Sequence, residues 1–311
     1  MPYTVSVSGL RKAYGKNVVL DGIDLSVPRG SVFALLGPNG AGKTTTVNIL
    51  ATLVRPDAGI ATIAGHDLHS DPVGVRRSIS LTGQFAAVDD ILTAEENLLM
   101  MARLLRLDAK AARTRTRELL AEFDLEHVRD RRVKALSGGM RRRVDIAASV
   151  IVRPELLFLD EPTTGLDPRS REQTWATVRK LTAEGVTILL TTQYLEEADQ
   201  LADRIAMLNG GRIVAEGTAD ELKSRLEGEV VRLEFADADT FARAVRTLAA
   251  ADTDPDRRTV DIATDGSADE VRRLLTGLDA QAIPVQRVSL FRPSLDDVFL
   301  SLTHVVKEVV R

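Results

Sequence analysis

A chain of 311 residues, 44% hydrophobic and 28% charged, is long enough for one large domain or for a large and a small one. This ordinary composition excludes disordered and fibrous classes. The chain has no cysteine, which excludes disulfides and thiolate zinc sites and favours a reducing cytosol. Its net charge of −4 argues against nucleic acid as a partner, and its apolar runs are far shorter than the roughly 20 residues of a membrane-spanning helix.

The chain opens with patterns typical of strands. Residues 3–7 alternate, and residues 18–27 are rich in β-branched side chains, with a turn expected at Asp21-Gly22. The continuous apolar run 31–36 predicts a strand buried on both faces. Residues 44–53 then predict a helix.

A glycine-rich loop between that strand and that helix fits the phosphate-binding pattern. Its glycines let backbone N–H groups converge on phosphate oxygens, and the following helix presents its positive end to the same anion. Lys43 can reach the β- and γ-phosphates, and the Thr44 hydroxyl can bind Mg²⁺. The predicted ATP-binding residues here are Gly37, Pro38, Asn39, Gly40, Ala41, Gly42, Lys43, Thr44 and Thr45.

Residues from about 84 to 150 change character. Thr93 and Glu96 form a capping-box pattern that opens a helix reaching residue 107, and residues 109–123 predict a second amphipathic helix. We interpret this stretch as a helical insert; the alternative is a continuation of the surrounding α/β domain.

The strand pattern returns with an apolar run, residues 156–159, that ends in two carboxylates. Asp160 is expected to hold Mg²⁺, and Glu161 to act as the general base toward water. The alternative is that both carboxylates cap a helix. Further strands at 186–191 and 204–208 alternate with helices, which indicates an α/β fold with a mostly parallel sheet.

The tail predicts a separate small unit. Strands are expected at 229–235, 258–262 and 283–290, helices at 239–250 and 267–278, and a closing helix at 296–302. This βαβαβ order is typical of a small α/β domain. The predicted division is therefore 1–227 for the first domain and 228–311 for the second.

The motif LSGGM at residues 136–140 brings these patterns into one family. With it, residues 1 to about 225 resemble the ATP-binding subunits of ABC transporters. The resemblance implies a P-loop cassette with a helical subdomain that binds ATP and Mg²⁺. It also implies that Ser137, Gly138 and Gly139 bind the γ-phosphate held by a second copy of the chain, so that two ATP molecules lie between two cassettes.

Three further positions match family motifs one by one. Tyr14 resembles the aromatic residue that stacks on adenine, although a surface or core tyrosine is the plain alternative. Gln84 resembles the glutamine that contacts Mg²⁺ or water; the alternative is a solvated loop residue. Asp167, in GLDP at 165–168, resembles the loop that touches the other cassette's site, against a simple turn.

One position departs from the family. Most members have a histidine that contacts the γ-phosphate, where this chain has Gln193. Glutamine can donate and accept hydrogen bonds but cannot take a proton at neutral pH. Gln193 would then keep the positioning role, with Glu161 left as the base; the alternative is a slow site.

The segments TTQY at 191–194, GGMRRR at 138–143 and PSLDDVFL at 293–300 resemble the daunorubicin/doxorubicin-resistance subgroup of drug exporters. The resemblance implies separate transmembrane permease subunits, a hydrophobic drug, antibiotic or lipid-like cargo, and a place at the cytoplasmic face of the cell membrane. The arginine run 141–143 is interpreted as a solvated helix face, not as a nucleic-acid patch. The alternatives are a soluble, non-transport ABC ATPase acting on ribosomes or chromosomes, and an importer ATPase, which differs in its partner and not in its chemistry.

The surface that transmits force is expected at the start of the insert. Residues 85–92 form an apolar-rich loop with Asp89 and Asp90 at its centre. Exposed apolar residues in such a loop indicate a contact patch for a membrane partner, whereas the alternative is a loop packed on its own domain.

Overall fold

The computed structural model describes residues 2–84, 87–224, 229–248, 252–291 and 294–308, with side chains up to residue 301. The chain divides into two compact units, Met1–Ala219 and Asp220–Arg311. The boundary predicted after residue 227 falls in 225–228, outside the described residues.

Ten strands belong to the first unit. They are β1 (Tyr3–Tyr14), β2 (Asn17–Pro28), β3 (Val32–Leu36), β4 (Ala58–Ile63), β5 (His66–Asp67), β6 (Ile79–Thr82), β7 (Leu156–Asp160), β8 (Thr187–Thr192), β9 (Arg204–Asn209) and β10 (Arg212–Gly217). Its helices are α1 (Lys43–Leu50), α2 (Pro72–Ser78), α3 (Ala94–Leu104), α4 (Ala109–Glu122), α5 (Gly138–Ser149), α6 (Pro168–Ala183) and α7 (Leu195–Leu201). A short helix, α8 (Ala219–Lys223), follows.

Two sheets build the first unit. One is antiparallel, in the order β2-β1-β4-β5, and the other has the order β10-β9-β3-β8-β7-β6. In the larger sheet every neighbouring pair from β9 to β6 is parallel, and β10 joins β9 as an antiparallel hairpin. All five residues of β3 and of β7 are buried, because strands in the middle of such a sheet are covered on both faces. The mostly parallel sheet is confirmed.

Helices α3, α4 and α5 follow one another between β6 and β7, where the helical insert was predicted. The capping box at its start is confirmed: Thr93 Oγ1 accepts from Glu96 N at 3.1 Å, and Glu96 Oε2 accepts from Thr93 N at 2.8 Å. These reciprocal bonds satisfy N–H groups that a helix end leaves without partners. Phe85 and Ala86, the first residues of the predicted contact loop, lie outside the described residues.

The turn predicted at Asp21-Gly22 is wrong, because β2 runs through both residues. Pairing with β1 shifts there: Leu10 faces Ile23 and Arg11 faces Asp21, which leaves Gly22 as the extra residue of a bulge. A bulge bends a strand without ending it. The sequence pattern of a turn residue beside a glycine is the same in both cases.

The second unit has its own sheet and core. Its elements are β11 (Glu229–Glu234), α9 (Ala238–Leu248), β12 (Asp252–Asp254), β13 (Thr259–Thr264), α10 (Ala268–Ala280), β14 (Arg287–Phe291) and α11 (Leu295–Glu308). The sheet is antiparallel in the order β12-β13-β11-β14, and β12 was not predicted. Phe235, Val231 and Leu233 are buried at its centre. No helix in the described ranges is long and apolar enough to cross a bilayer.

Candidate functional site

The phosphate-binding loop leaves the carboxyl end of β3 and enters α1. Gly42 precedes the helix with φ of 111°, and a Cβ atom there would lie 2.6 Å from Leu20 Cδ2, so that glycine alone fits. No side chain caps α1. Its first N–H groups are therefore free of a side-chain acceptor, which is the arrangement that binds an anion at a helix start.

Lys43 points back into the loop. Its Nζ atom donates to Gly37 O at 2.8 Å and to Pro38 O at 3.2 Å, and lies 3.4 Å from Glu161 Oε1. The side chain is only 4% exposed, so the ammonium is held in place before any phosphate arrives. Of the other loop residues, Pro38, Asn39, Gly40 and Thr44 are exposed, Thr45 is half-buried and Ala41 is buried.

Asp160 ends β7 beside the start of α1. Its Oδ1 atom accepts from Thr44 Oγ1 at 3.3 Å and also from Thr191 Oγ1. A hydroxyl and a carboxylate facing each other are the hard oxygen ligands that Mg²⁺ prefers, usually with substrate phosphates and water completing the set. The residues present therefore fit the predicted Mg²⁺ site. Thr191, a residue not singled out in the sequence, positions the carboxylate.

Glu161 adopts a left-handed backbone conformation with φ of 47°, which is unfavourable for a residue with a side chain. Its N–H is held by Thr191 O and Thr191 Oγ1, both at 3.1 Å, and its Oε2 accepts from Thr164 Oγ1 at 3.2 Å. Strained backbone of this kind persists only where its surroundings fix it, and it is concentrated at functional sites. In this conformation Glu161 Oε1 lies 3.4 Å from Lys43 Nζ.

Gln193 follows β8, which lies between β3 and β7. The strand register pairs Leu36 with Thr192 and Asp160 with Thr191. Gln193 thus leaves the sheet between the phosphate loop and Glu161, half-buried. The Thr192 hydroxyl accepts from Tyr194 N at 2.9 Å and fixes the turn around it.

Gln84 is exposed and shares a cavity with Glu161 and with Gly138 at the start of α5. Arg141 and Arg142 of α5 also line this cavity, and the rest of its wall comes from the loop that follows Glu161, including Thr164 and Leu166. The structure thus brings Gln84, the LSGGM motif and the carboxylate edge of the sheet to one place.

Ser137 and Gly138 are exposed at the start of α5. Ser137 Oγ caps the helix by accepting from Met140 N at 3.3 Å. A Cβ atom on Gly139 would lie 2.4 Å from Ser170 Oγ, so the glycine lets α5 approach α6 closely. The helix start can therefore offer N–H groups outward while its base is packed.

Asp167 is exposed and caps α6, accepting from Ser170 N at 3.0 Å and Ser170 Oγ at 2.6 Å. These hydrogen bonds lower the pKa of its carboxyl.

Tyr14 lies at the end of β1 with 52% of its surface exposed, and the Lys12 ammonium is 5.4 Å from its ring centre.

The interpretation of residues 141–143 as a solvated face is wrong for two of the three arginines. Arg142 and Arg143 are 6% and 5% exposed. Arg142 pairs with Asp145 at 3.3 Å, and Arg143 donates to Phe123 O at 3.0 Å. Burial lowers the pKa of Arg142 and raises the pKa of Asp145. The signal available in the sequence was Asp145, a charge between apolar Val144 and Ile146.

Glu197 on α7 is a second buried charge that the sequence analysis missed. Its Oε1 atom accepts from Thr163 Oγ1 at 2.8 Å and from Trp175 Nε1 at 3.1 Å. Burial raises the pKa of the carboxyl. Glu197 thereby links the helix after Gln193 to the loop that follows Glu161 and to α6.

Family models match both units of the chain. A model described as "ABC transporter" matches residues 20–164, and one described as the C-terminal domain of DrrA1-3-like ATP-binding proteins matches residues 217–303. The daunorubicin/doxorubicin resistance ATP-binding protein DrrA of Streptomyces peucetius is 53% identical over 309 residues, covering 96% of this chain and 92% of that protein. Nod factor export ATP-binding protein I of Ralstonia nicotianae is 40% identical, covering 96% and 93%.

Solved structures match about seven-tenths of the chain. An ATP-binding subunit of an ABC transporter superposes with a TM-score of 0.63 at 32% identity, covering 71% of this chain and 92% of that one. An ATP-binding cassette solved as a dimer in a post-hydrolysis state with ADP and Pi has a TM-score of 0.62 at 27% identity, covering 69% and 98%.

Proposed function

Since the chain belongs to the ABC transporter family of ATP-binding proteins, in the group of the daunorubicin and doxorubicin resistance proteins, we propose that it powers export of a hydrophobic compound. Two copies close around two ATP molecules, and hydrolysis of ATP to ADP and phosphate reopens them. This cycle drives separate membrane subunits between inward- and outward-open states.

The observation that carries this proposal is the convergence at the carboxyl edge of the parallel sheet. Lys43, Thr44, Asp160 and Glu161 meet there within hydrogen-bond or ion-pair distance, although more than 100 positions separate the first two from the last two. One lysine, one hydroxyl and two carboxylates of this kind match the needs of phosphoryl transfer to water.

Each residue has a defined task in this reaction. The loop N–H groups and Lys43 bind the phosphates of ATP, and Glu161 orients the attacking water and accepts its proton. Thr44, Asp160 and Gln84 would hold Mg²⁺, which neutralises phosphate charge when bound. Gln193 donates a hydrogen bond to the γ-phosphate. Tyr14 stacks on adenine.

The second half of each site comes from the other copy. Ser137, Gly138 and Asp167 are exposed in the single chain, and the N–H groups at the start of α5 have the polarity that a γ-phosphate requires. ATP bound by one copy would therefore complete its contacts against Ser137, Gly138 and Gly139 of the second copy.

The cargo is a drug, antibiotic or lipid-like compound carried by the membrane subunits, with this chain at the cytoplasmic face of the cell membrane. The names of the relatives, which concern drug resistance and Nod factor export, support this assignment over a soluble ATPase of ribosomes or chromosomes. We propose residues 1–227 as the cassette, with its insert at about 84–150, and residues 228–311 as an accessory domain.

The insert supplies the surface for the membrane subunit. Leu92, Leu99, Met100 and Leu104 line a groove along α3, and Leu104 is 68% exposed. Ala87, at the start of the same stretch, is also exposed. The lining of this groove also includes Glu96 and Arg103, and its exposed apolar side chains are suited to contact a membrane subunit.

A charge placed at Ala87 tests this contact. Ala87→Glu should leave the subunit folded and able to bind ATP, while binding of the membrane partner and efflux of a fluorescent drug are lost. Ala121→Glu, which changes another exposed alanine, on α4, is the control and should keep efflux. Intact efflux with Ala87→Glu would place coupling on another surface.

Glu161→Gln tests the reaction itself. The amide cannot accept the proton of water, so hydrolysis should fall by about 10²–10⁴-fold while ATP binding persists. The variant should then accumulate as an ATP-bound dimer in size-exclusion chromatography. Hydrolysis at the native rate would reduce Glu161 to a structural role.

A further inference from the structure

Two buried charges on α5 hold the chain on both sides of Gln84. Arg142 donates to Gly83 O at 2.6 Å, immediately before Gln84, and to Asp160 O at 3.3 Å. Asp145 Oδ1 accepts from Ala87 N at 2.9 Å, on the far side. Arg142 also pairs with Asp145 at 3.3 Å, so the two anchors are joined to each other.

The same helix carries the residues that face the second copy. Arg142 and Asp145 stand five and eight positions after Ser137, roughly 7 and 12 Å along a helix that rises about 1.5 Å per residue. A helix of this length moves as one body, so a displacement at the anchors reaches its first turn. Gln84 and the start of α5 are therefore mechanically connected by side chains that contact backbone at both ends of the Gln84 segment.

Stability alone does not account for the pair. A buried ion pair is often no more stabilising than well-packed apolar side chains of similar volume, because desolvation offsets the attraction. What an apolar pair cannot supply is a directed donor for Gly83 O and a directed acceptor for Ala87 N. The specific contribution of this ion pair is therefore to fix the backbone positions of Gly83 and Ala87.

We propose that Arg142 and Asp145 are positioning residues that couple each ATP site to the opposite one. A shift of Gln84 on ATP binding in one copy would be carried by the anchors to α5 and would set Ser137, Gly138 and Gly139 for the ATP of the second copy. This inference rests on the ATP-bound dimer of the proposed function. It assigns two residues beyond the nucleotide-contacting set.

The test uses full-length Glu161→Gln protein as the parent, in which ATP is bound but not cleaved. The variant Arg142→Met with Asp145→Leu removes both anchors without leaving an unpaired buried charge. The ATP affinity of the monomer should stay within about twofold of the parent's. The melting temperature should stay within a few degrees of the parent's. The dimer dissociation constant with ATP and Mg²⁺, measured by analytical ultracentrifugation, should rise by at least about tenfold, or 1.4 kcal/mol.

Arg115→Met is the matched control. Arg115 also donates to backbone near α5, to Val150 O and Ile151 O at 3.2 Å, but at the helix end away from Gln84. It should dimerise like the parent. A double variant that is stable and also dimerises like the parent would overturn the inference, as would a loss of monomer ATP affinity equal to the loss of dimerisation.

A milder variant keeps the test decisive if the double variant does not fold. Arg142→Lys retains the charge beside Asp145, but one ammonium cannot reproduce the planar fork that reaches Gly83 O and Asp160 O. The dimer dissociation constant should rise by about threefold, a value between those of the parent and the double variant, because only part of the hydrogen bonding is lost. Parent-like dimerisation by folded Arg142→Lys would refute the inference, whereas a parent that stays monomeric with ATP would refute the proposed dimer itself.

Discussion

The two units of this chain differ most in what they bury. Among its described residues, the first unit buries seven charged side chains: Lys43, Arg142, Arg143, Asp145, Asp160, Glu161 and Glu197. Among the described residues of the second unit, the buried polar side chains are Thr240, Thr259 and Thr264. Burying charge is costly unless each group has partners. Six of these seven charges lie at the carboxyl edge of the parallel sheet or on α5, and the seventh, Glu197, lies on α7.

The same contrast appears between two ion pairs. Arg142 and Asp145 are 3.3 Å apart with side chains 7% and 4% exposed, whereas Arg232 and Asp261 in the second unit are 2.6 Å apart with 37% and 21% exposed. The shorter distance does not imply the larger effect, because solvent screens the second pair.

The largest effect is expected at the buried cation of the site. Lys43→Ala should reduce ATP hydrolysis by at least about 10²–10³-fold, since it removes charge that stabilises the transferring phosphoryl group. Phosphate release by the purified chain measures this, with circular dichroism to check folding. Near-normal turnover in the folded variant would remove the phosphate-loop assignment.

The next effect compares the two ion pairs directly. Arg142→Met should lower the free energy of unfolding of the first unit by about 3–5 kcal/mol, because it leaves Asp145 charged and buried without its partner. Arg232→Met should change the second unit by about 0–1 kcal/mol.

Hydrogen exchange resolves the two units, with β7 amides reporting the first and β11 amides the second. The single tryptophan, Trp175, is buried on α6 and gives an independent fluorescence signal for the first unit. Equal losses in the two units would contradict the link between burial and energetic weight.

Gln193 should have an intermediate effect. Gln193→Ala removes the hydrogen bond proposed between this side chain and the γ-phosphate and should lower hydrolysis by about tenfold, within the range of a single bond to a charged group. Gln193→His should keep activity, since imidazole can donate the same bond. Equal rates for the three proteins would show that this position does not touch the nucleotide.

The smallest effect concerns Glu197. Glu197→Gln keeps an acceptor for Thr163 and Trp175 and removes a buried charge, so stability at pH 7 should be unchanged or slightly higher. Because burial raises the pKa of this carboxyl in the folded state, the folded chain binds its proton more tightly than the unfolded chain. The carboxyl therefore favours folding less as pH rises through that pKa, and the advantage of glutamine should shrink in acid. Thermal melts of both proteins from neutral to acidic pH measure this difference in stability. A stability advantage of Glu197→Gln that grows in acid would contradict the prediction.

What the sequence predicted well is what neighbouring residues determine. The loop from Gly37 to Thr45 and the capping box at Thr93 depend on local spacing, and the structure contains the loop and the cap at their predicted places. The carboxylates of Asp160 and Glu161 follow a buried strand, so their edge of the sheet was also predictable.

What the sequence did not predict depends on contacts between distant segments. The arginine run alone predicts a solvated helix face. Arg142 and Arg143 are buried because they donate to backbone carbonyls of Gly83, Asp160 and Phe123, which are distant in the sequence. The role of Thr191 in positioning Asp160 depends on the pairing of β8 with β7, which the sequence does not show. Short strands such as β12 have too few residues for a pattern, and pairing with β13 defines them.

The central claim, that ATP hydrolysis by this chain drives export through a separate membrane subunit, is tested most directly by drug efflux. Cells expressing the chain together with its membrane partner are loaded with a fluorescent hydrophobic drug, and retained fluorescence is followed with and without depletion of ATP. Rapid, ATP-dependent loss of fluorescence is expected with the native chain, and retention of fluorescence with Lys43→Ala at equal expression. Equal retention with the native chain and with Lys43→Ala would contradict the central claim.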